Sequence, residues 1–421
     1  MEQNDTNSES RTRAIIIGGF AIVAVLILIG LFLPPISLGD RLGFGAGETA
    51  ETGSEPAAES ETAETTEFVA GSAAVPEGVA LALSDGSAKI AVVNQSEFLA
   101  ENDADVPEES LEVSSDVYTV STTDESAEGQ VALPVPTDTT DPNSLDLYGW
   151  DGSSWYFLPS QVDAQSRQIV SADQELPQAF ALMQAKAPDE LLFTGYVNSG
   201  EAVPTALLPL VTDIVISGLK LNSEGALDGA VEPQPDGAYD QWVQVSNVGP
   251  VIDQASLSKL LGDSGLQQEQ IEQLVSLAGT GEYAGIELDY QQVPENQKEL
   301  FSAFAANLAG ALHEQGLQLA ITLGAPGFTG NAWNSGGQDW IALGETADIV
   351  NIELPLDPTQ YDQGDEAAQL LAYATRQINR SKLRSLYSAA AVDRFGDTFS
   401  PLTNIAALAN FGELHFVQGG E

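Results

Sequence analysis

From Leu191 onward, short apolar runs alternate with stretches of helical periodicity, and no other feature limits the possible folds of this chain as tightly. The runs are Leu191–Val197, Ile214–Leu219, Trp242–Val245, Ile286–Tyr290, Leu317–Leu323, Ile349–Leu354, Leu386–Ala391 and Leu414–Val417. Between them, Leu300, Phe304, Leu308 and Leu312 recur every four residues. Ile271, Leu274, Val275 and Ala278 follow the i, i+3, i+4, i+7 spacing. Each set makes one apolar stripe on a helix. Asp365 to Ile378 reads as a third helix. Strands alternating with helices pair in parallel and bury both faces of their sheet. Eight of them predict an α/β fold, a (β/α)8 TIM-like barrel, over residues 190–421. No closing helix follows the eighth run before Glu421.

One strand is unlike the others. In Tyr283 to Val293, Ile286, Leu288 and Tyr290 fall on one face, and Glu287, Asp289 and Gln291 on the other. Two acids and an amide therefore point the same way. An ordinary buried strand gains nothing from this, because each carboxylate is costly to desolvate and each raises the other's pKa. In a barrel, inward positions near a strand's C-terminal end open onto the active-site mouth.

The residues Ala284, Gly285, Glu287, Asp289 and Gln291 make this stretch resemble the signature strand of glycoside hydrolase family 18, the chitinase-like family, which reads D-G-x-D-x-D-x-E. Gly285 and Asp289 fit, Glu287 is a conservative replacement, and Ala284 and Gln291 depart. Further likeness lies in Ile214–Leu219 with the acidic-glycine turn Ser223–Leu227, in Trp242–Asn247, in Gln318–Leu323 and in Asp348–Glu353. The resemblance implies a carbohydrate-binding barrel with Glu287, Asp289 and Gln291 at the catalytic positions. Gln291 occupies the family's proton-donor place, and an amide has no proton to give a leaving oxygen at neutral pH. The family uses substrate assistance, which also needs that donor. The sixth strand lacks the family's Tyr, and no Trp follows Trp340 to form the expected floor of the groove. The resemblance thus implies a homologue whose usual chemistry is disabled.

Loops after the strands carry further candidates for sugar contact: Trp333, Trp340, Glu353, Asp357 and Asp393, with Phe328 and Tyr361 nearby. The loop Gly324 to Gly337 is Gly-rich but lacks the Gly-Lys-Ser/Thr ending of a phosphate loop.

The N-terminal half has a different organisation. Residues 1–13 are polar. Ala14 to Leu33 is uninterruptedly apolar and, at about 1.5 Å per residue, reaches roughly the 30 Å of a bilayer core. Pro34-Pro35 ends it. With Arg11 and Arg13 before the run, residues 1–13 are expected to be a cytoplasmic tail and 14–35 a single-pass transmembrane anchor. The bulk of the chain is then extracellular, at the cell membrane. Residues 36–67 read as a disordered acidic linker, too poor in large apolar groups to offset chain entropy. Residues 68–188 hold seven short apolar runs, and Asp151-Gly152 between Trp150 and Trp155 signals a hairpin, so a β-sandwich is expected. Trp150, Trp155 and Tyr156 are either core anchors or a sugar-stacking platform.

Charge narrows the partners. The 62 acids against 14 bases give a net charge of -48, which repels phosphate backbones and argues against nucleic acid. The absence of cysteine removes disulfides and thiolate metal sites, and His313 and His415 are too few to suggest a metal centre. No cofactor is expected. Three functions are compatible with these residues: a membrane-anchored binder of polysaccharide or cell-envelope glycan with an impaired barrel, an active glycosidase on N-acetylglucosamine-containing polymers that uses Glu287 or Glu353, and a structural cell-surface module without glycan binding.

Overall fold

The structure is a computed structural model that describes residues 66–67, 78–83, 88–104, 106, 111–122, 127–186, 191–328, 333–361, 366–387, 391–395 and 398–402. The expected anchor, the tail before it and the run Leu414–Val417 lie outside the described residues. Among the described residues, no helix is long and apolar enough to cross a membrane.

Strands β1 (Thr66–Glu67), β2 (Ala80–Leu83), β3 (Ala88–Val93), β4 (Leu111–Val113), β5 (Val117–Thr122), β6 (Glu128–Pro134), β7 (Leu145–Trp150), β8 (Trp155–Leu158), β9 (Ser160–Asp163), β10 (Gln168–Ser171), β11 (Gln174–Glu175) and β12 (Ala179–Ala185) form the first part, with one helix, α1 (Gln95–Asn102). One sheet runs β1-β3-β5-β12-β7-β8, with β4 on β12; the other runs β11-β6-β10-β9, with β2 on β6. All their pairings are antiparallel. Leu81, Val131, Leu133 and Ile169 of one sheet pack against Ile90, Leu145, Leu147, Phe180 and Leu182 of the other. This is a β-sandwich. Every expected run is a strand. β4, β9, β10 and β11 are additional; at two to four residues each they are too short to show a period. β1 begins inside the stretch expected to be linker.

The hairpin β7–β8 pairs Trp150 with Trp155. Their rings lie 5.4 Å apart, and Phe98 of α1 packs on both. Both tryptophans are buried core anchors on the outer face of their sheet. Tyr156, which points the other way, is 39% exposed.

Beyond β12 the pairing turns parallel. Strands β13 (Thr194–Asn198), β14 (Asp213–Leu221), β15 (Leu227–Gly229), β16 (Asp240–Ser246), β17 (Gly285–Asp289), β18 (Gln318–Leu323), β19 (Gly327–Phe328), β20 (Trp333–Asn334), β21 (Ile349–Glu353) and β22 (Leu383–Leu386) are followed by a hairpin, β23 (Ala391–Phe395) and β24 (Thr398–Leu402). The parallel sheet has the order β13-β14-β16-β17-β18-β21-β22. Helices α2 (Gln254–Gly262), α3 (Ser264–Thr280), α4 (Lys298–His313), α5 (Trp340–Thr346) and α6 (Glu366–Gln377) connect its strands.

The sheet curls on itself. Arg384 on β22 donates from Nη1 to Thr194 Oγ1 on β13 at 2.9 Å and to Asp213 Oδ2 on β14 at 3.1 Å. Tyr196 on β13 reaches Glu287 on β17. Contacts between first and last strands, and across to a middle one, need a barrel-like curve rather than an open sheet. Seven parallel strands are described; the place expected for the eighth lies outside the described residues.

Two expectations are corrected. The seventh strand is Leu383–Leu386, not Leu386–Ala391. Arg384 hides it in the sequence: a charge stands at an inward position because Asp213 receives it. On α4 the stripe runs through Phe301, Phe304, Ala305, Leu308 and Leu312, while Leu300 is 45% exposed. Phe301 and Phe304 pack against Tyr290, tying α4 to the outward face of β17.

Candidate functional site

The inward residues of the barrel lie in layers. Val215, Trp242 and Ala320 form an apolar layer near the strand starts. Above it sits Glu287. Its register partner on β16 is Gln244, and one step further along the same strands Ser246 is opposite Asp289. The period of two that aligns these residues is the one visible in the sequence.

Glu287 is buried, and four strands supply its partners. Oε1 accepts from Gln244 Nε2 at 2.8 Å and from Thr322 Oγ1 at 3.0 Å. Oε2 accepts from Tyr196 OH and from Asn351 Nδ2, both at 3.0 Å. Ser217 Oγ donates to Gln244 Oε1 at 2.6 Å, which fixes that amide with its nitrogen toward Glu287. Burial pushes the Glu287 carboxyl up to about 7; the Gln244, Tyr196 and Thr322 hydrogen bonds pull against this, and the Asp289 charge adds to it. Burial, then the charge of Glu287, raises Tyr196 as well.

Asp289 stands one layer closer to the mouth. Oδ1 accepts from Gln291 Nε2 at 2.7 Å and Oδ2 from Ser246 Oγ at 3.0 Å. Burial raises its carboxyl, against the pull of these two bonds. Gln291 Nε2 also donates to Thr322 O at 3.2 Å, so both amide hydrogens are engaged by the protein. Its carbonyl oxygen lies over Gly324, where a Cβ would collide with it. The backbone of Gln291 is clamped by Asn247, which accepts from its N–H at 2.7 Å and donates to its carbonyl at 3.0 Å. Gln338 spans the next turn, donating to Tyr290 O and accepting from Gly324 N, both at 3.0 Å.

A cleft of ≈ 330 Å³ opens here, lined by Gln291, Gly324, Asn334, Gln338 and Glu353 among others. Glu353 is the last residue of β21 and lines this cleft. Burial of its carboxyl, and then the charge of Asp289, raise its pKa. Among the described residues, no group of three or more His, Asp or Glu is placed to hold a metal ion.

The remaining candidates lie apart from this cleft. Trp340 is 2% exposed at the start of α5, 5.2 Å from Tyr373, with no face open to a ligand. Trp333 is half-buried between Phe328 and Tyr373; its neighbour Asn334 lines the cleft instead. Asp357 closes a turn, its Oδ1 accepting from Thr359 N and Oγ1 at 2.9 and 2.8 Å. Asp393 is exposed on the β23–β24 hairpin. Sequence reasoning passed over Tyr196, Gln244, Ser246, Thr322 and Asn351. Each is a polar residue at an inward position of an otherwise apolar run, and that was the available signal.

No family model and no curated protein matches the sequence. Solved structures do show likeness. The chitinase from Chromobacterium violaceum is 24% identical over 52% of this chain and 76% of that one, with a TM-score of 0.41. A class V chitinase from Pseudomonas fluorescens is 23% identical over 46% of this chain and 67% of that one, with a TM-score of 0.38. The spore cortex-lytic enzyme of Bacillus cereus is 15% identical over 77% of this chain and 81% of that one, with a TM-score of 0.42. These are partial likenesses of shape. What the site can do follows from its side chains.

Proposed function

We propose that the barrel mouth binds an amino-sugar-containing glycan without hydrolysing it, and that the chain holds this barrel at the cell surface by its apolar N-terminal run. The supporting observation is the state of Gln291. It stands at the place where the glycoside hydrolase family 18 pattern puts its proton donor, and both its amide hydrogens are taken by Asp289 and Thr322. A side chain so held can orient Asp289 and present its carbonyl oxygen to a ligand. It cannot protonate a leaving group.

Restoring the acid tests this directly. Gln291→Glu places a second carboxyl against Asp289, and like charges at that distance share a proton. The variant is expected to hydrolyse a chromogenic N-acetylglucosaminide that the wild-type chain leaves intact. Hydrolysis by the wild type would overturn the reading. Anchoring is checked separately: the full chain should sediment with membranes and be released by detergent but not by salt.

One observation favours a second reading. Glu353 lines the same cleft and has a raised pKa, so it is an acid able to hold a proton nearer neutrality. On that reading the wild type is an active glycosidase, and Glu353→Gln abolishes turnover.

A further inference from the structure

A second groove lies on the sandwich and, on one side, reaches the other end of the barrel. Its larger part, ≈ 1140 Å³, is lined by Tyr156, Gln174, Glu175 and Gln178 among others. Its smaller part, ≈ 360 Å³, is lined by Tyr156 again with Gln377, Asn379 and Lys382. The two meet at Tyr156. Asn379 and Lys382 precede β22, whereas Gln291 and Glu353 stand where their strands end, so this groove and the mouth are at opposite ends of the barrel.

Tyr156 is built as a platform. It is paired across the hairpin with Gly149. A Cβ on Gly149 would come within 3.0 Å of the Tyr156 ring and 2.9 Å of Pro177, so the ring lies down on the bare glycine. The side chain stays 39% exposed there and lines both parts of the groove. Gln178 is held beside it by a bond from Nε2 to Asp151 O at 2.9 Å. A rigid aromatic face flanked by amides costs little order to bind and offers donors and acceptors together.

Two of the groove's charged groups, Asp151 and Lys382, are engaged within the protein, and the carboxylates of Glu175 and Glu345 also line it. Asp151 accepts from the N–H groups and hydroxyls of Ser153 and Ser154, bonds that hold its carboxyl down at about 2. Lys382 Nζ donates to Gly344 O and Glu345 O at 2.9 and 3.1 Å. Among the described residues lining the groove, no lysine is left to meet an anion, and Glu175 repels one. What remains is an aromatic face, amides and the acceptor carboxylates of Glu175 and Glu345, a surface that repels anions and that an uncharged polyhydroxylated chain fits.

The groove is also preformed. Arg380 clamps Asp146 with Nε and Nη2 at 2.5 and 2.8 Å, and Arg376 donates to Leu145 O and Pro142 O at 2.6 and 2.9 Å. These bonds join α6 and the turn after it to β7 and the turn before it, so the sandwich and barrel walls are fixed against each other. We propose that this groove is a second carbohydrate site, taking a strand of uncharged polysaccharide across the junction of sandwich and barrel.

The test is retention of the full chain on two insoluble uncharged polymers, one of N-acetylglucosamine and one of glucose, with a polyanionic glycan as control. Tyr156→Ala is expected to lower affinity for at least one uncharged polymer about tenfold, from loss of stacking and buried ring area. Tyr156→Phe should restore it, and Gln178→Ala should weaken it with an unchanged urea midpoint. The loss caused by Tyr156→Ala should persist when it is measured in the Gly324→Ala background, where the mouth is already disturbed. That separates failure here from failure of the mouth. Unchanged retention when Tyr156→Ala is added to Gly324→Ala, retention on the polyanion alone, or no retention of the wild type on either uncharged polymer would overturn the proposal.

Discussion

Replacing Glu287 by Gln should change how stability depends on pH, and the structure fixes both sign and size. The folded chain binds a proton on this carboxyl with a pKa of about 7, against 4.5 for the free group. The folded state is therefore favoured where that proton is bound. This contribution is complete below about pH 4.5 and is lost as pH rises through 7. At roughly 1.4 kcal/mol per pH unit, the gap corresponds to about 3 kcal/mol. The amide introduced by Glu287→Gln does not titrate, so the variant keeps what the wild type loses. A constant offset is expected as well. Gln244 and Asn351 donate to different carboxylate oxygens, so either placement of the new amide sets one donor against another. That costs about 1–3 kcal/mol at every pH. Urea unfolding of both chains from pH 4.5 to 8 separates the two effects, because the other acids cancel in the difference. The gap should move by about 3 kcal/mol in the variant's favour. A difference that stays flat across this range would refute the buried-carboxyl reasoning.

Arg380→Ala leaves Asp146, 0% exposed, without its two guanidinium bonds, and should cost about 3–5 kcal/mol; denaturation should then show the sandwich and barrel unfolding separately, and a loss under about 1 kcal/mol would contradict this. Gly324→Ala pushes the buried Gln291 amide off Asp289 and Thr322, so it should cost about 1–3 kcal/mol of stability while glycan affinity at the mouth drops about tenfold or more, read by calorimetric titration of the folded variant. Trp340→Ala should destabilise by about 3–5 kcal/mol, as expected of a core anchor, and loss of binding without loss of stability would return Trp340 to the ligand site.

The strand–helix alternation and the sandwich runs were legible because their apolar residues follow the spacing of the elements they build. Legibility failed where a polar group sits inside with a partner from a distant strand. Arg384 masked β22 because Asp213, far back in the chain, neutralises it. Likewise, Tyr196 reads as a minor strand residue until the curl brings it to Glu287. The alternation of Glu287, Asp289 and Gln291 gave the centre of the site, but its supporting hydrogen bonds depend on register, which one strand's sequence does not contain. Aromatic residues misled for a related reason. Trp340 stands after a Gly-rich loop in sequence yet begins a helix whose buried face it fills.

The proposed function puts a sugar beside the Gln291 amide, where an acid would break the chain. Calorimetric titration of the full chain with an N-acetylglucosamine oligomer, followed by product analysis of the same sample, measures both halves at once. Saturable binding that Gly324→Ala weakens, with the oligomer recovered intact, is the expected result. Shortened oligomers from the wild-type chain, or no heat of binding with any oligomer length, would contradict it.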